Sequence, residues 1–239
     1  MTSVILVGGG RMGSLIKQDL IADGGFDLLG IYDIDNIAEL DAAAPQADLV
    51  IDFSNKASLP HVLAYVSRTN AALVSGTTGY TEDEQAQIRA LGAKSRVIQS
   101  GNYSLGVAAL RHVTRLAAEA LPGWDVEIVE THHNQKADAP SGTANMLLAE
   151  VDPQGQDSVV YGRQGMVGAR PAREVGMHSL RGGTVAGTHE VHFFGKDEEL
   201  CLTHRASSRQ IFVTGAIAAA KRLMAREPGF YTFDELMFG

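Results

Sequence analysis

The sequence predicts an α/β fold with two lobes, a parallel-sheet lobe at the N-terminus and a smaller α+β lobe after it. In the N-terminal part, short apolar runs alternate with helix-like stretches, the pattern of a parallel sheet covered by helices on both faces. After Asn102 the pattern changes. Two apolar runs, Val191–Phe194 and Leu200–Thr203, flank a short polar turn and predict an antiparallel hairpin.

The N-terminal lobe is assigned to residues 1–103, and we expect the C-terminal helix in 210–239 to return to it. Thr81 and Glu84 have the spacing of a capping box, which predicts a helix that continues to about Leu91. The predicted strands of this lobe are Val4–Val7, Leu28–Tyr32, Leu49–Asp52, Ala72–Ser75 and Arg96–Gln99.

The second predicted lobe comprises residues 104–209. Residues 152–188 are rich in glycine and show little periodicity, so we expect loops and short strands there. The other elements predicted for this lobe are a helix from about Leu105 to Leu121, a strand over Val126–Thr131, a helix over 144–150 and the two hairpin strands.

Composition excludes several classes of protein. The formal net charge of -8 argues against a nucleic-acid or anionic-membrane binder, which needs a basic face. The single cysteine, Cys201, permits no internal disulfide and no multi-cysteine metal site, which suits a reducing compartment. Met1-Thr2-Ser3 leads straight into the first strand without the features of a signal peptide. We therefore expect a cytoplasmic protein.

A nucleotide site is predicted at Gly8-Gly9-Gly10-Arg11-Met12-Gly13, a G-x-G-x-x-G between a strand and a helix. Such glycines let the backbone approach a pyrophosphate, and Asp33 can accept hydrogen bonds from the ribose hydroxyls. The alternative is a glycine-rich turn that binds nothing. No Lys or Arg occurs between Gly24 and Glu39 to bind a 2′-phosphate, so we expect NADH to be preferred, with NADPH possible.

Two further loops follow predicted strands at the edge where open parallel sheets bind ligands. They are Gly76-Thr77-Thr78-Gly79 and Ser100-Gly101-Asn102-Tyr103. Either loop can border the nicotinamide, and either can be a plain turn.

Candidate reaction chemistry is concentrated just after the strand Val126–Thr131. His132 and Lys136 are the candidate acid/base residues, because histidine exchanges protons near neutral pH and lysine can act as an acid. His133 and the run Ser141-Gly142-Thr143, which precedes a predicted helix, are candidate contacts for a substrate carboxylate.

A structural interpretation of the His-His pair is that adjacent side chains on an extended strand point to opposite faces. A zinc site would need a third ligand at a suitable spacing. We expect no metal, because nothing in the sequence brings together the remaining candidate histidines His178, His189, His192 and His204.

The run from Glu130 to Thr143 resembles the signature E-x-H-H-x-x-K-x-D-x-P-S-G-T of the 4-hydroxy-tetrahydrodipicolinate (dihydrodipicolinate) reductase family. The resemblance extends in the same order along nearly the whole chain. The other similar segments are Gly10–Gly13, Asp52–Ser54, Gly76–Gly79, Asn102–Ser104, Arg181–Gly183 and His204–Arg209.

The resemblance implies hydride transfer from NAD(P)H to the ring of a cyclic dicarboxylate, giving tetrahydrodipicolinate in lysine biosynthesis through diaminopimelate. It implies that His132 and Lys136 are the acid/base residues, and that His133 and Gly142-Thr143 contact substrate. It also implies a Rossmann lobe, a smaller lobe with an open mixed sheet that binds substrate, and a homotetramer assembled through that second lobe.

Two other functions compete with this interpretation. A related Rossmann imine or keto-acid reductase, or an amino-acid dehydrogenase, would use the same fold on a different substrate. A non-enzymatic NAD-sensing protein would not need His132, Lys136, Ser141 and Thr143 together. The sequence leaves open whether His132 or Lys136 delivers the proton.

Overall fold

The computed structural model describes residues 1–239 and confirms the α/β fold, with a six-stranded parallel sheet and a five-stranded mixed sheet. The chain divides into two compact units. The first comprises Met1–Leu105 with Gln210–Gly239, and the second comprises Gly106–Arg209. No helix has both the length and the apolar character needed to span a membrane.

In chain order, the strands and helices are β1 (Thr2–Val7), α1 (Arg11–Asp23), β2 (Phe26–Tyr32), α2 (Glu39–Ala42), β3 (Leu49–Asp52), α3 (Leu59–Thr69), β4 (Ala72–Ser75), α4 (Glu82–Ala90), β5 (Arg96–Gln99), α5 (Leu105–Ala120), β6 (Asp125–His132), α6 (Gly142–Val151), β7 (Ser158–Val160), β8 (Glu174–Arg181), β9 (Gly187–Phe194), β10 (Glu199–Ala206), α7 (Gln210–Met224), β11 (Gly229–Tyr231) and α8 (Phe233–Phe238). Short 3₁₀ turns cover Lys56–Ser58 and Leu91–Ala93.

The sheet of the first unit has the strand order β11-β5-β4-β3-β1-β2, and all its pairs are parallel. Every residue of β3 and β4 is buried, because helices cover both faces of a parallel sheet. Asp52 and Ser75 are the last residues of these two strands and lie side by side in register. The loops that follow the strands therefore begin at one edge of the sheet.

Two elements at the C-terminus of the first unit were not predicted. β11 is only three residues long and adds a parallel edge strand next to β5. α8 begins at a capping box formed by Thr232 and Glu235, the same spacing that predicted α4. The signal for α8 was therefore present in the sequence, whereas β11 is too short to produce a pattern.

The sheet of the second unit has the order β10-β9-β6-β8-β7 and is mixed, because β6 pairs in parallel with β8 and antiparallel with β9. This agrees with the expected open mixed sheet. One face carries the core, which includes Leu110 of α5, Leu147 of α6, and Ile128 and Val191 of the sheet. The opposite face carries partly exposed polar side chains and the exposed Phe194.

The prediction of loops and short strands over 152–188 was wrong in one respect, because it missed the eight-residue strand β8. Gly176 interrupts the apolar pattern of this strand. A Cβ on Gly176 would lie 1.7 Å from Oε2 of Glu127 on the neighbouring β6, so the glycine accommodates a side chain that crosses the sheet.

Candidate active site

The glycine-rich turn between β1 and α1 is closely packed on its protein side. A Cβ on Gly13 would lie 1.9 Å from the carbonyl oxygen of Gly8, so only glycine lets α1 approach β1 this closely. Gly8 has φ +111°, and a Cβ there would lie 2.4 Å from the backbone oxygen of Phe53. In contrast, nothing lies within 4 Å of a Cβ built on Gly10, the N-cap of α1. The helix N-terminus is therefore open at Gly10, as a pyrophosphate site requires.

The first turn of α1 has no acidic side chain and no side-chain cap. Its leading N–H groups have no partner inside the helix, and the helix dipole favours an anion beside them. Gly9, Gly10 and Arg11 are exposed, and Met12 is half-buried. The residues of this turn can therefore hold the phosphates of a nicotinamide cofactor.

Asp33 follows β2 and lies beside the same turn. A Cβ on Gly9 would lie 2.6 Å from Oδ2 of Asp33, so the glycine leaves room for this carboxylate. The other oxygen, Oδ1, accepts a hydrogen bond of 3.1 Å from the backbone N–H of Asp35. The Asp33 N–H donates to Oδ1 of Asn36 at 2.8 Å, which fixes the turn. The carboxylate is where a Rossmann lobe binds the adenosine ribose.

The loops after β3 and β4 pack against each other. A Cβ on Gly76 would lie 2.3 Å from the ring of Phe53, so glycine is required there. The Thr77 hydroxyl is buried and accepts a hydrogen bond of 3.0 Å from the backbone N–H of Ser54. Thr78 is exposed. The structure thus places Gly76 and Thr77 within a tightly fitted edge of the sheet.

The loop after β5 supports this edge from its other side. The Tyr103 hydroxyl donates to the carbonyl oxygen of Ser75 at 2.8 Å, and the Tyr103 ring lies 5.5 Å from the Phe53 ring, centroid to centroid. The Ser100 hydroxyl donates to the Asn102 carbonyl oxygen at 2.7 Å. Because Tyr103 is buried, its side chain positions the neighbouring loops. Gly101 is exposed at the tip of the loop.

His132 ends β6, and a buried carboxylate holds its ring. Nδ1 of His132 lies 2.5 Å from Oε2 of Glu130, which is completely buried. The same carboxylate accepts two hydrogen bonds from Arg181, at 2.8 and 2.9 Å, and one from the backbone N–H of Ser141 at 3.3 Å. With Nδ1 engaged, Nε2 is left for chemistry. A Cβ on Gly187 would lie 3.1 Å from Nε2, so this glycine keeps space beside it.

Glu130 and His132 differ in charge near pH 7, because the carboxylate is ionised and the imidazole is neutral. Burial raises the pKa of Glu130, but hydrogen bonds from Arg181, Ser179 and His132 outweigh burial and lower the pKa to about 2. Burial lowers the pKa of His132, and the charge of Lys136 lowers it further, against the opposing effect of Glu130. His132 is therefore a neutral imidazole near pH 7, with its Nδ1–H directed to Glu130.

Lys136 lies in the turn after β6 and is oriented by a carboxylate. Its Nζ donates to both oxygens of Asp138, at 2.8 and 2.9 Å. The lysine side chain is 19% exposed and the Asp138 side chain 65% exposed, so the ammonium group can still be reached by a ligand. The Lys136 N–H donates to the carbonyl oxygen of His133 at 3.1 Å, which closes the turn. His133 itself is half-buried.

Ser141, Gly142 and Thr143 form the start of α6, but they differ in exposure. Ser141 is the N-cap and is buried, and its hydroxyl accepts a hydrogen bond of 3.2 Å from the Ala144 N–H. Gly142 is exposed, and nothing lies within 4 Å of a Cβ built on it. Thr143 is half-buried. The N-terminus of α6 is therefore open at Gly142, whereas the Ser141 side chain is already engaged.

His189 is a buried residue that sequence reasoning left without a role. Its Nε2 lies 3.1 Å from the Ser141 hydroxyl, and its ring packs edge-on against His132, 5.2 Å away between centroids. Its Nδ1 has no hydrogen-bond partner. Burial, followed by the charge of His132, lowers the pKa of His189 to about 4. His189 is thus neutral near pH 7 and fixes the Ser141 cap.

A stability prediction follows for His189. Its folded-state pKa of about 4 lies below the ordinary 6.5, so its contribution is complete above pH 6.5 and is lost as the pH falls toward 4. We expect wild-type protein to lose about 3 kcal/mol of unfolding free energy across this interval from His189. In urea titrations at several pH values, His189→Gln should show a shallower pH dependence. Equal slopes for the two proteins would contradict the assignment.

Metal-ligand residues do approach one another outside this site. His192, Glu199 and Cys201 lie together on the β9–β10 hairpin, with ligand atoms within 4.8 Å of one another. Sequence reasoning considered His192 but did not group it with these two residues. None of them belongs to the cluster around Glu130.

Three important residues were not assigned roles from sequence, namely Glu130, Arg181 and Asp52. Glu130 carried a usable signal, because it continues the buried alternation of Val126 and Ile128 on β6. The contact of Arg181 with Glu130 could not be predicted from local sequence, because it arises only through the pairing of β6 with β8. Asp52 ends a strand that is otherwise apolar, which marks it as a buried carboxylate.

Comparisons with known proteins cover both units. The family described as "Dihydrodipicolinate reductase, N-terminus" matches residues 2–103, and "Dihydrodipicolinate reductase, C-terminus" matches residues 106–237. The chain is 45% identical over 243 residues to the 4-hydroxy-tetrahydrodipicolinate reductase of Akkermansia muciniphila, covering 99% of this chain and 98% of the relative. It is 39% identical to the enzyme of that name from Natronomonas pharaonis, covering 98% and 99%.

Solved structures show the same fold. The dipicolinate-bound dihydrodipicolinate reductase from Paenisporosarcina sp. TG-14 has a TM-score of 0.81 at 22% identity, with 100% of each chain covered. A diaminopimelate dehydrogenase from C. glutamicum has a TM-score of 0.57 at 12% identity, covering 97% of this chain and 92% of that one. Both family descriptions and close relatives of full length agree, so this chain belongs to the dihydrodipicolinate reductase family.

Proposed function

We propose that this protein reduces 4-hydroxy-tetrahydrodipicolinate, a cyclic dicarboxylate, to tetrahydrodipicolinate with NAD(P)H, in lysine biosynthesis through diaminopimelate. The observation that carries the proposal is that Glu130 holds His132 at the end of β6 and Asp138 holds Lys136 in the loop before α6, in a chain whose full-length relatives have this activity in their name. A dehydrogenase for another substrate would share the fold but not these residues as a set.

The first unit is assigned to the nicotinamide cofactor. Gly8 to Gly13 and the N-terminus of α1 would hold the pyrophosphate, and Asp33 would hold the adenosine ribose. The loops Gly76–Thr78 and Ser100–Tyr103 would border the nicotinamide, with the buried Thr77 and Tyr103 acting through the backbone around them. When bound, NAD(P)H supplies the hydride.

Lys136 is assigned the role of proton donor. After hydride addition, the substrate ring must gain a proton, and an ammonium group both donates it and stabilises the nearby negative charge. His132 is less suited to donate, because its imidazole is already neutral near pH 7. We assign His132 to accept and relay a proton at Nε2, with Nδ1 held by Glu130.

The substrate carboxylates are assigned to His133 and to the start of α6. The N-terminus of a helix attracts an anion, and Gly142 leaves space for one. Thr143 adds a hydroxyl at the same end of the helix. Ser141 is assigned an indirect role, because its hydroxyl caps the helix and contacts His189.

The activity is tested with purified protein and the cyclic precursor generated in place by its synthase. The expected result is NAD(P)H oxidation that requires the precursor and yields tetrahydrodipicolinate. A matched reaction with a simple keto acid and ammonia tests the amino-acid dehydrogenase alternative. Cofactor oxidation with the keto acid, but not with the cyclic precursor, would overturn the proposal.

We expect NADH to be preferred over NADPH. The carboxylate of Asp33 lies beside Gly9, where it would receive the ribose hydroxyls of NADH and repel a 2′-phosphate. No Lys or Arg between Gly24 and Glu39 offsets that charge. Measured kcat/KM should be higher with NADH than with NADPH. Asp33→Asn should lower the ratio of these two kcat/KM values. A clear NADPH preference in wild-type protein would contradict this assignment.

We further propose a cytoplasmic homotetramer that assembles through the second unit. Support comes from the face of its mixed sheet opposite α5 and α6, where Leu180 is 48% and Phe194 39% exposed. Sedimentation of wild-type protein should give the mass of four copies of the 25.4 kDa chain, and Phe194→Glu should lower this mass.

The proposed cytoplasmic location is supported by the free cysteine, Cys201, which is compatible with a reducing compartment.

A further inference from the structure

Asp52 is a buried carboxylate that contacts no cation. Its side chain is 1% exposed. All its hydrogen-bond donors are uncharged: the hydroxyls of Ser54 at 2.5 Å, Ser75 at 3.1 Å and Tyr80 at 3.2 Å, the Ser54 N–H at 3.2 Å, and the Thr77 side chain. Burying a charge without an opposite charge is costly, even when hydrogen bonds surround it. A role in function would explain why the carboxylate is kept there.

The position of Asp52 suggests that role. It is paired in register with Val7, the residue before the glycine turn, and with Ser75, the residue before Gly76. Ser54, which donates to Asp52, also donates through its N–H to the Thr77 hydroxyl. The Thr77 side chain, which belongs to the loop assigned to the nicotinamide, is thus part of the same hydrogen-bond network as the carboxylate.

We infer that Asp52 provides a fixed negative charge that stabilises the oxidised, positively charged nicotinamide. The inference rests on the proposed function, in which the loop after β4 borders that ring. Hydride transfer breaks the C4–H bond of the dihydronicotinamide and forms a C–H bond on the substrate ring. The cofactor loses two electrons, the substrate gains them, and the nicotinamide changes from neutral to cationic. A nearby buried carboxylate attracts the ring more strongly after this change and thereby lowers the barrier.

No other charged group facing Asp52 competes with it. The titratable side chains of the elements packed around it are Tyr80 and Tyr103, and burial raises the pKa of both, so both stay neutral. Burial raises the pKa of Asp52 by more than its hydroxyl donors lower it, so the pKa lies above its ordinary value. A cationic ring beside the pocket would favour the ionised carboxylate.

Two variants are compared. Asp52→Asn keeps a side chain of nearly the same shape, but it removes the charge and replaces one acceptor oxygen with a donor NH2 group. Ser75→Ala removes one hydrogen bond and keeps the charge. Dissociation constants for NAD⁺ and NADH are measured without substrate. For Asp52→Asn we expect the NAD⁺ constant to rise by about 10- to 30-fold and the NADH constant by less than about threefold. For Ser75→Ala, both constants should change by the same factor.

Equal weakening of NAD⁺ and NADH in Asp52→Asn would overturn the inference and assign Asp52 a purely structural role. A second measurement uses wild-type protein, in case this variant does not fold. The ratio of the NAD⁺ constant to the NADH constant should rise as acid protonates Asp52, because the two cofactors differ only in the nicotinamide and titrations remote from that ring change both constants equally. A flat ratio would also overturn the inference. Wild-type protein that binds neither cofactor would instead refute the proposed function.

Discussion

Replacing Lys136 with alanine is expected to lower kcat by about 10²- to 10⁴-fold, the usual contribution of a positioned general acid. Lys136 is the cation that Asp138 orients after β6, and no other lysine lies within the signature segment. NADH binding should survive, because the residues assigned to the cofactor belong to the other unit. Steady-state kinetics and NADH fluorescence titration measure the two effects separately.

Asp138→Asn is the matched control for this variant. It leaves the Lys136 ammonium group in place but removes the carboxylate that receives it, so we expect a smaller loss of kcat than in Lys136→Ala. His132→Ala should also reduce turnover, as a separate effect, because it removes the imidazole assigned to relay a proton at Nε2. Unchanged kcat in Lys136→Ala would show that the proton comes from elsewhere.

Replacing Glu130 with alanine is expected to destabilise the protein by about 3–5 kcal/mol, as removal of one partner from a buried ion pair does. The carboxylate is completely buried and receives two hydrogen bonds from Arg181 and one from His132. Without it, the guanidinium of Arg181 would remain partly buried without its carboxylate. The free energy of unfolding, from urea titrations near pH 7, measures the loss.

Two control variants make the Glu130 result specific. Asp157→Asn removes a partner from the exposed pair of Asp157 and Arg173 and should cost less than about 1 kcal/mol. Glu130→Gln keeps the shape of the side chain but loses the charge that orients His132. It should therefore alter the pH dependence of kcat as well as stability. A loss in Glu130→Ala no larger than in Asp157→Asn would contradict the buried-pair assignment.

The acid dependence of stability has a defined sign for Glu130. Its folded pKa of about 2 lies below the ordinary 4.5, so its contribution is present above pH 4.5 and is lost as the pH falls toward 2. This interval overlaps that of His189, from pH 6.5 to about 4, only between pH 4.5 and 4.

Local sequence patterns were sufficient to predict those strands whose burial requires apolar residues. β3, β4 and β5 have the predicted bounds, because strands buried on both faces appear as continuous apolar runs with polar ends. β8 was missed because Gly176 interrupts its apolar pattern. The glycine is needed there to leave room for the Glu127 side chain. Likewise β11 is stabilised mainly by its pairing with β5, which a three-residue run cannot reveal.

The candidate site was predictable in its residue types but not in its arrangement. The segment from Glu130 to Thr143 identified His132 and Lys136, because the ionisable residues are close in sequence. The connection from Glu130 to Arg181 spans 51 residues and depends on the register of β6 with β8, which sequence does not fix. The burial of Ser141 against His189 could not be predicted either, because it depends on the packing of α6 over β9.

The most direct test of the proposed reaction follows the transferred hydride. NADH carrying deuterium on C4, in the position from which the protein removes hydride, is supplied with precursor generated by the synthase, and the product is analysed by mass spectrometry. We expect tetrahydrodipicolinate containing one deuterium, formed in step with NADH oxidation, and little product with Lys136→Ala. Oxidation of NADH that leaves the product unlabelled, or the absence of this product, would contradict it.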